Sequence, residues 1–141
     1  MSLFAALGAS ASALDAERAR LEVAVSNIAN SESTRGADGK PYRRRDVLLA
    51  PQMVESFDAA LGNAGAVGVK VANIVEDQNE FRKRYEPSHP DADAEGYVSV
   101  PNVDVPEEMV DMVGAARAYQ ANVAAINVIR DTFARSLELG K

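Results

Sequence analysis

The sequence has no cysteine, no tryptophan and one histidine, His89. Without cysteine there are no disulfides, no thiolate metal sites and no cysteine nucleophile. A lone histidine leaves no Ser/His/Asp arrangement except one built around an exposed loop, and no second imidazole to share a metal. Positive charge is the minority sign: 15 Lys and Arg stand against 21 Asp and Glu, net −6, with no basic tail. General attraction to nucleic acid or anionic lipid is therefore not indicated. No stretch approaches the roughly 20 apolar residues needed to cross a bilayer. Met1–Gly8 lacks a basic n-region, and its apolar run is short and broken, unlike a secretory signal. By these ordinary signals the chain is a soluble protein that stays where it is made. Its 141 residues allow one domain with a modest core.

What is present is organised by period. From Leu7, small or apolar residues recur as Leu7, Ala11, Leu14, (Arg18), Leu21, Val25 and Ile28. The far end repeats the rhythm as Val105, Met109, Met112, Ala116, Tyr119, Val123, Ile126, (Arg130), Phe133 and Leu137. Steps alternating between four and three are those of a coiled-coil seam. The pattern predicts two helices, about 30 and about 50 Å long. Alanine dominates both, which favours helix and close approach of backbones. The first helix should end near Asn30, before the polar run 31–39. The second has a start signal in Asp104-Val-Pro-Glu107: a capping side chain, an early proline, and acids at the positive helix end. Gly140 is placed to terminate it. Gly8 and Gly114 each weaken helix by about 1 kcal/mol relative to alanine, so the helices should depend on partners.

Between the helices the period changes. Tyr42–Leu49, Val67–Val75, Phe81–Tyr85 and Tyr97–Val100 are short, β-branched or aromatic, and bounded by Gly and Pro, which predicts strands. Gln52–Leu61 is ambiguous, and Ala59–Gly68 has the composition of a flexible loop. The expected fold class is α+β: long N- and C-terminal helices forming a coiled-coil pair, with a small β-rich insertion between them. The expected division is 1–35 with 104–141 as an inner helical domain, and 36–103 as an outer insertion.

Candidate sites for chemistry fail one by one. "HPDADAEGYVSVPN", 89–102, places Asp91, Asp93 and Glu95 on alternate residues before Gly96, like the front of a calcium loop. An EF-hand needs a bidentate Glu at position twelve and helices on both sides. Position twelve is Asn102, Pro90 precedes the acids, and a strand pattern follows. A solvated turn is the expected reading. Arg43-Arg44-Arg45 suggests a phosphate site, but adjacent strand residues point to both faces, and no aromatic-rich or glycine-rich companion is present. Gly62-x-x-Gly65-x-x-Gly68 lacks dinucleotide spacing and the lysine of a phosphate loop. No carboxylate pair sits in a context that would separate its pKa values. No catalytic, cofactor-binding or metal residue is expected.

"SNIANSEST", Ser26–Thr34, is less easily dismissed. Asn27 and Asn30 lie on nearly one face at the end of the first helix. They are ordinary helix enders. However, the second helix also interrupts its alanines with Arg117, Tyr119, Gln120 and Asn122. Amides on long seams fix register at some cost in stability.

The stretches "VAVSNIANSEST" and "EEMVDMVGAARAYQANVAAINVIRDTF" resemble the termini of the axial proteins of the bacterial flagellum (rod, hook and filament subunits). "GKPYRRRDV", "VKVANIVED" and "YEPSHPDADAEGYVSVPNVDVPEEMV" are similar to subunits of the proximal rod. The resemblance covers essentially the whole chain and is least at Gln52–Gly68. It implies terminal helices that pack against neighbouring copies around an export channel, with the insertion as the outer wall. It implies export through the flagellar type III apparatus to the periplasmic span, which reverses the localisation inferred from ordinary signals. Partners would be further copies, other rod subunits, and the membrane ring and export gate at the base. No nucleic acid, membrane insertion or cofactor is implied. The residues expected to carry assembly are Leu14, Leu21, Val25 and Ile28 with Met112, Tyr119, Val123, Ile126 and Phe133. Asn27, Asn30 and Asn122 are expected to set register. Arg18 and Arg130 either cover apolar neighbours with their stems or pair with the next subunit. A different axial subunit, or a stand-alone binding module or enzyme with helical termini, remains the alternative.

Overall fold

The computed structural model describes residues 3–36, 38–53 and 67–140. The order is α1 (Leu3–Ala29), β1 (Arg45–Met53), β2 (Val67–Glu76), β3 (Arg82–Tyr85), β4 (Tyr97–Val100) and α2 (Val105–Leu139). This is the α+β arrangement anticipated, with a long helix at each end and short strands between.

The start of α2 follows its sequence signal. The Asp104 carbonyl accepts the Glu108 N–H at 3.0 Å, and its carboxylate faces the Glu107 N–H at 3.5 Å. Pro106 occupies the first turn, where a missing N–H breaks no helical bond. Glu107 and Glu108 add acid to the same turn. By contrast α1 has neither acid in its first turn nor base in its last, so the macrodipole is uncompensated by charge at both ends. It ends by local bonding instead: the Asn30 side-chain amide donates to the Ser26 carbonyl at 2.9 Å.

β1 begins three residues later than the aromatic Tyr42 suggested and runs on through Met53. Gln52 and Met53 of the ambiguous segment are therefore strand; 54–61 lies outside the described residues. β1 pairs with β2, and β3 with β4, as separate two-stranded sheets. The second pair is antiparallel, with Arg82 opposite Val100 and Tyr85 opposite Tyr97. The Tyr85 and Tyr97 rings meet edge to face at 5.3 Å. Gly96, at φ 85°, turns the chain into β4. A Cβ there would lie 2.9 Å from Tyr85 Cε2 and 3.1 Å from Pro87 Cβ, so glycine is required by space as well as by conformation.

The chain forms two compact units. The first comprises 1–19, 48–73 and 114–141. Here Ala5, Ala16 and Ala115 are buried, the Phe4 and Phe133 rings meet at 5.6 Å, and the Val69 N–H donates to Ser12 Oγ at 3.1 Å. The second comprises 20–47 and 74–113. Its buried apolar residues are Ala24, Val98, Val100 and Val103, joined by two polar ones, Asn27 and Glu108. Glu108 is the largest fully buried side chain described.

Candidate functional site

A buried carboxylate needs partners, because stripping its water without them is costly. Glu108 has them. Its Oε1 accepts from Arg44 Nε at 2.5 Å and its Oε2 from Asn27 Nδ2 at 2.9 Å. Asp111 and Asp46 approach the same guanidinium at 3.8 and 3.7 Å. Burial alone would lower the Arg44 pKa, but the bond to Glu108 and the surrounding acids outweigh it, and the pKa is raised.

Asn27 is the centre of this knot. Its Oδ1 accepts the Arg45 N–H at 3.0 Å and the Tyr42 hydroxyl at 2.9 Å. Its Nδ2 donates to the Arg45 carbonyl at 2.8 Å as well as to Glu108. The amide thus exchanges two bonds with one backbone residue, as a neighbouring strand would, and seals the start of β1. On the preceding residue, the Arg44 N–H donates to Asn102 Oδ1 at 3.1 Å and the Arg44 carbonyl accepts from the Asp77 N–H at 2.8 Å. The last turn of α1, the entry to β1 and the first turn of α2 are therefore joined by polar bonds instead of a large apolar core.

The acidic turn is held by the chain itself. Asp93 Oδ1 accepts the N–H groups of Glu95 and Tyr97, each at 2.9 Å. These bonds, that from Tyr97 first, hold the Asp93 pKa below the ordinary carboxylate value. Asp91 accepts from Thr34 Oγ1 at 2.8 Å and faces Arg35 at 3.5 Å. Asn102, at the twelfth position, turns its carbonyl oxygen to Arg44 instead of the acids. Among the described residues no cluster of three ligand-type side chains could hold a metal. Millimolar calcium should leave the thermal midpoint unchanged, within 1 °C or so at the precision of such scans. A stoichiometric calorimetric signal that Asp91→Ala abolishes would show otherwise.

The expected assembly residues occupy a different place from the deepest packing. In α1 the buried positions are Ala5, Ala16, Ala24 and Asn27, whereas Leu14, Leu21 and Ile28 are half-buried and Val25 is 52% exposed. In α2 Glu108 and Ala115 are buried, and Met112, Asn122, Ile126 and Ile129 half-buried. That stripe shares Met112, Ala116 and Ile126 with the seam read from sequence, but adds Ala115, Asn122 and Ile129 and leaves Val123 and Arg130 exposed. Tyr119, Val123 and Phe133 each leave more than a third of their surface open. Alanine explains the offset. It counts as apolar on either of two adjacent stripes, yet lets backbones come closest where it is the contact residue.

The three amides differ as well. Asn27 spends all its bonding capacity within the chain. Asn30 accepts from Ser33 Oγ at 3.2 Å besides bonding to Ser26, as a helix ender does. Asn122 donates back to the Ala118 carbonyl at 2.9 Å. Arg130 lies against Asp131 at 3.6 Å with both side chains mostly exposed, a contact of little energetic weight. Glu108, Arg44 and Tyr42 were not anticipated. The signal for Glu108 was its position: four residues before Met112, it is the acid that falls on the inward stripe.

Two family models match the chain. "Flagella basal body rod protein" covers residues 7–37, and "Flagellar basal body rod FlgEFG protein C-terminal" covers residues 94–139. Among curated proteins, the flagellar basal-body rod protein FlgC of Bacillus subtilis is 46% identical over 152 residues, spanning 100% of both chains. That of Salmonella typhimurium is 48% identical over 130 residues, 92% of each. That of Borreliella burgdorferi is 38% identical over 149 residues, 99% of this chain and 98% of the relative.

Proposed function

The chain belongs to the flagellar basal-body rod protein FlgC family, and from that membership we propose a structural, non-catalytic subunit that polymerises through its terminal helices. The observation that carries this reading is the apolar surface left open on the helices. Val110 is 72% exposed, Val128 64%, Leu137 59% and Leu139 89%, and every residue from 130 to 140 is exposed. In proteins most of a helix's stability comes from packing its apolar face, not from intrinsic propensity. Neighbouring subunits offering the same stripes would cover these side chains and supply that packing.

On this reading residues 1–35 and 104–141 form the inner wall around the export channel, and 36–103 the outer one. The open seam positions, Val25, Tyr119, Val123 and Phe133, face neighbours. Leu14, Leu21, Ile28, Met112 and Ile126 stiffen the helices from the half-buried side. Asn30 and Asn122 remain able to set register through their exposed atoms, whereas Asn27 acts within the subunit. The chain resides in the flagellar basal body, in its periplasmic span, and reaches it through the flagellar export apparatus. Its partners are further copies, other rod subunits, and the membrane ring and export gate at the base.

Electron microscopy of isolated basal bodies should place the labelled chain in the rod. Hydrogen exchange on the dilute chain tests the dependence on neighbours. Amides in 3–19 and 114–140 should exchange within seconds, while 20–29 and 105–113, tied to the Asn27–Glu108 knot, should be protected. Strong protection across 114–140 in a verified monomer would remove the need for neighbours.

A further inference from the structure

The second unit carries a cleft of about 470 Å³ that the rod reading does not use. Four cations line it, Arg35, Lys40, Arg43 and Arg45, against two carboxylates, Asp38 and Glu76. This is a positive concavity in a chain of net charge −6. Its cations are held in place without being fully neutralised. Arg43 donates to the carbonyls of Asp77 and Asn79 at 2.9 and 3.1 Å and lies over the Phe81 ring at 4.4 Å. Arg45 stands 3.7 Å from Glu76, with both side chains about half exposed. Lys40 makes no ion pair among the described residues.

The alternation along residues 43–45 places the complementary charge. Arg43 and Arg45 turn to the cleft, whereas Arg44 turns to Glu108 and Asp111 in the first turns of α2. Neither Asp104 nor Glu107, in the first turn of α2, lines the cleft. At that start Asp104 and Glu107 are exposed and make no ion pair among the described residues. A basic concavity and an acidic turn that does not line it do not meet within this copy. They can meet between copies. Unlike patches give a head-to-tail contact, which closes into a ring or runs on as a helix.

We propose that the Lys40–Arg43–Arg45 cleft of one copy receives the acidic first turn of α2, Asp104 and Glu107, from the next copy. The proposal rests on the rod-subunit reading and names one of its contacts. Acid from a different protein is the rival occupant, and charge reversal separates the two.

The experiment is a charge swap in cells that carry only the altered chain. Lys40→Glu with Arg45→Glu brings like charges together, as does Glu107→Lys, and each should reduce hook-bearing basal bodies about tenfold or more. Combining all three substitutions restores opposite charges and should recover numbers to within about twofold of the unaltered chain. The purified variants should keep their helix content and unfold cooperatively, with a midpoint lowered only slightly by the reversed charge at the positive end of α2 and the lost Arg45–Glu76 pair, so that misfolding is excluded. Normal basal-body numbers in the Lys40→Glu, Arg45→Glu strain overturn the proposal. So does a combined variant that folds but does not recover, which assigns the cleft to acid from elsewhere. If the unaltered chain is absent from basal bodies, the rod reading itself fails. If it is present and the cleft variants behave normally, only the cleft contact fails.

Discussion

Cells whose only copy of this chain carries Val25→Asp should make the protein at the usual level, build no rod and fail to swim. Val25 falls on the four-three spacing of α1, and it is 52% exposed in the isolated chain. An exposed substitution of this kind changes stability by about 0.5 kcal/mol or less. The circular dichroism and unfolding midpoint of the purified chain should therefore be unchanged. On the proposed reading a neighbouring subunit covers this position in the rod. Losing apolar burial there costs up to about 1.5–3 kcal/mol. An unpaired carboxylate trapped in the contact adds several more. The penalty recurs at every subunit, so a defect invisible in one chain becomes decisive in the polymer. Val25→Ala should give an intermediate phenotype, because it removes area without adding charge. Swim-ring diameter and counts of hook-bearing basal bodies give the readout. Normal motility with Val25→Asp would take this face out of the assembly.

Ile126→Asp makes a less clean test. Ile126 is half-buried within its own chain, so the aspartate would weaken the subunit as well as any contact. Sequence spacing could not separate these two residues. Both sit on a four-three rhythm, and the rhythm says only that one face is apolar. Which stripe the chain keeps for itself is decided by side-chain size at the contact, and here the small residues Ala5, Ala16, Ala24 and Ala115 take the inside. Of the larger ones, Val25, Tyr119, Val123 and Phe133 are left toward solvent, while Leu14, Leu21, Ile28, Met112 and Ile126 are half-buried. Other features were legible because their causes are local. The α2 start follows from Asp104 and Pro106, and the turn into β4 from Gly96 and the backbone bonds to Asp93. Asn102, at the twelfth position of the calcium-like stretch, is turned to Arg44. The polar knot was not legible as a whole, since its members are separated by up to 81 residues and pair only after folding. Two of its parts are visible in the sequence under other descriptions, Asn27 as a candidate register residue and the arginines as a cluster; Glu108 is not.

Glu108→Ala should be the most damaging single change to the isolated chain. Glu108 is 2% exposed and binds Arg44 and Asn27 at once. Its removal leaves the Arg44 cation, whose side chain is 18% exposed, with only the more distant Asp46 and Asp111. Breaking one side of a buried ion pair costs about 3–5 kcal/mol. A small domain has about 5–15 kcal/mol in total, so the unfolded population should rise by about a hundredfold or more. Urea denaturation should show an earlier midpoint, and hydrogen exchange in 20–29 and 105–113 should lose its protection. The double variant Arg44→Met with Glu108→Leu separates the charge from the packing. It removes both ions and keeps apolar volume, and exchanges of this kind are often neutral or stabilising. Asn27 would still hold its two bonds to the Arg45 backbone and one to Tyr42. The double variant should therefore recover most of the stability that Glu108→Ala loses. If it is as unstable as Glu108→Ala, the pair does more than satisfy its own burial, and the carboxylate itself is needed to fix the first turn of α2 against β1.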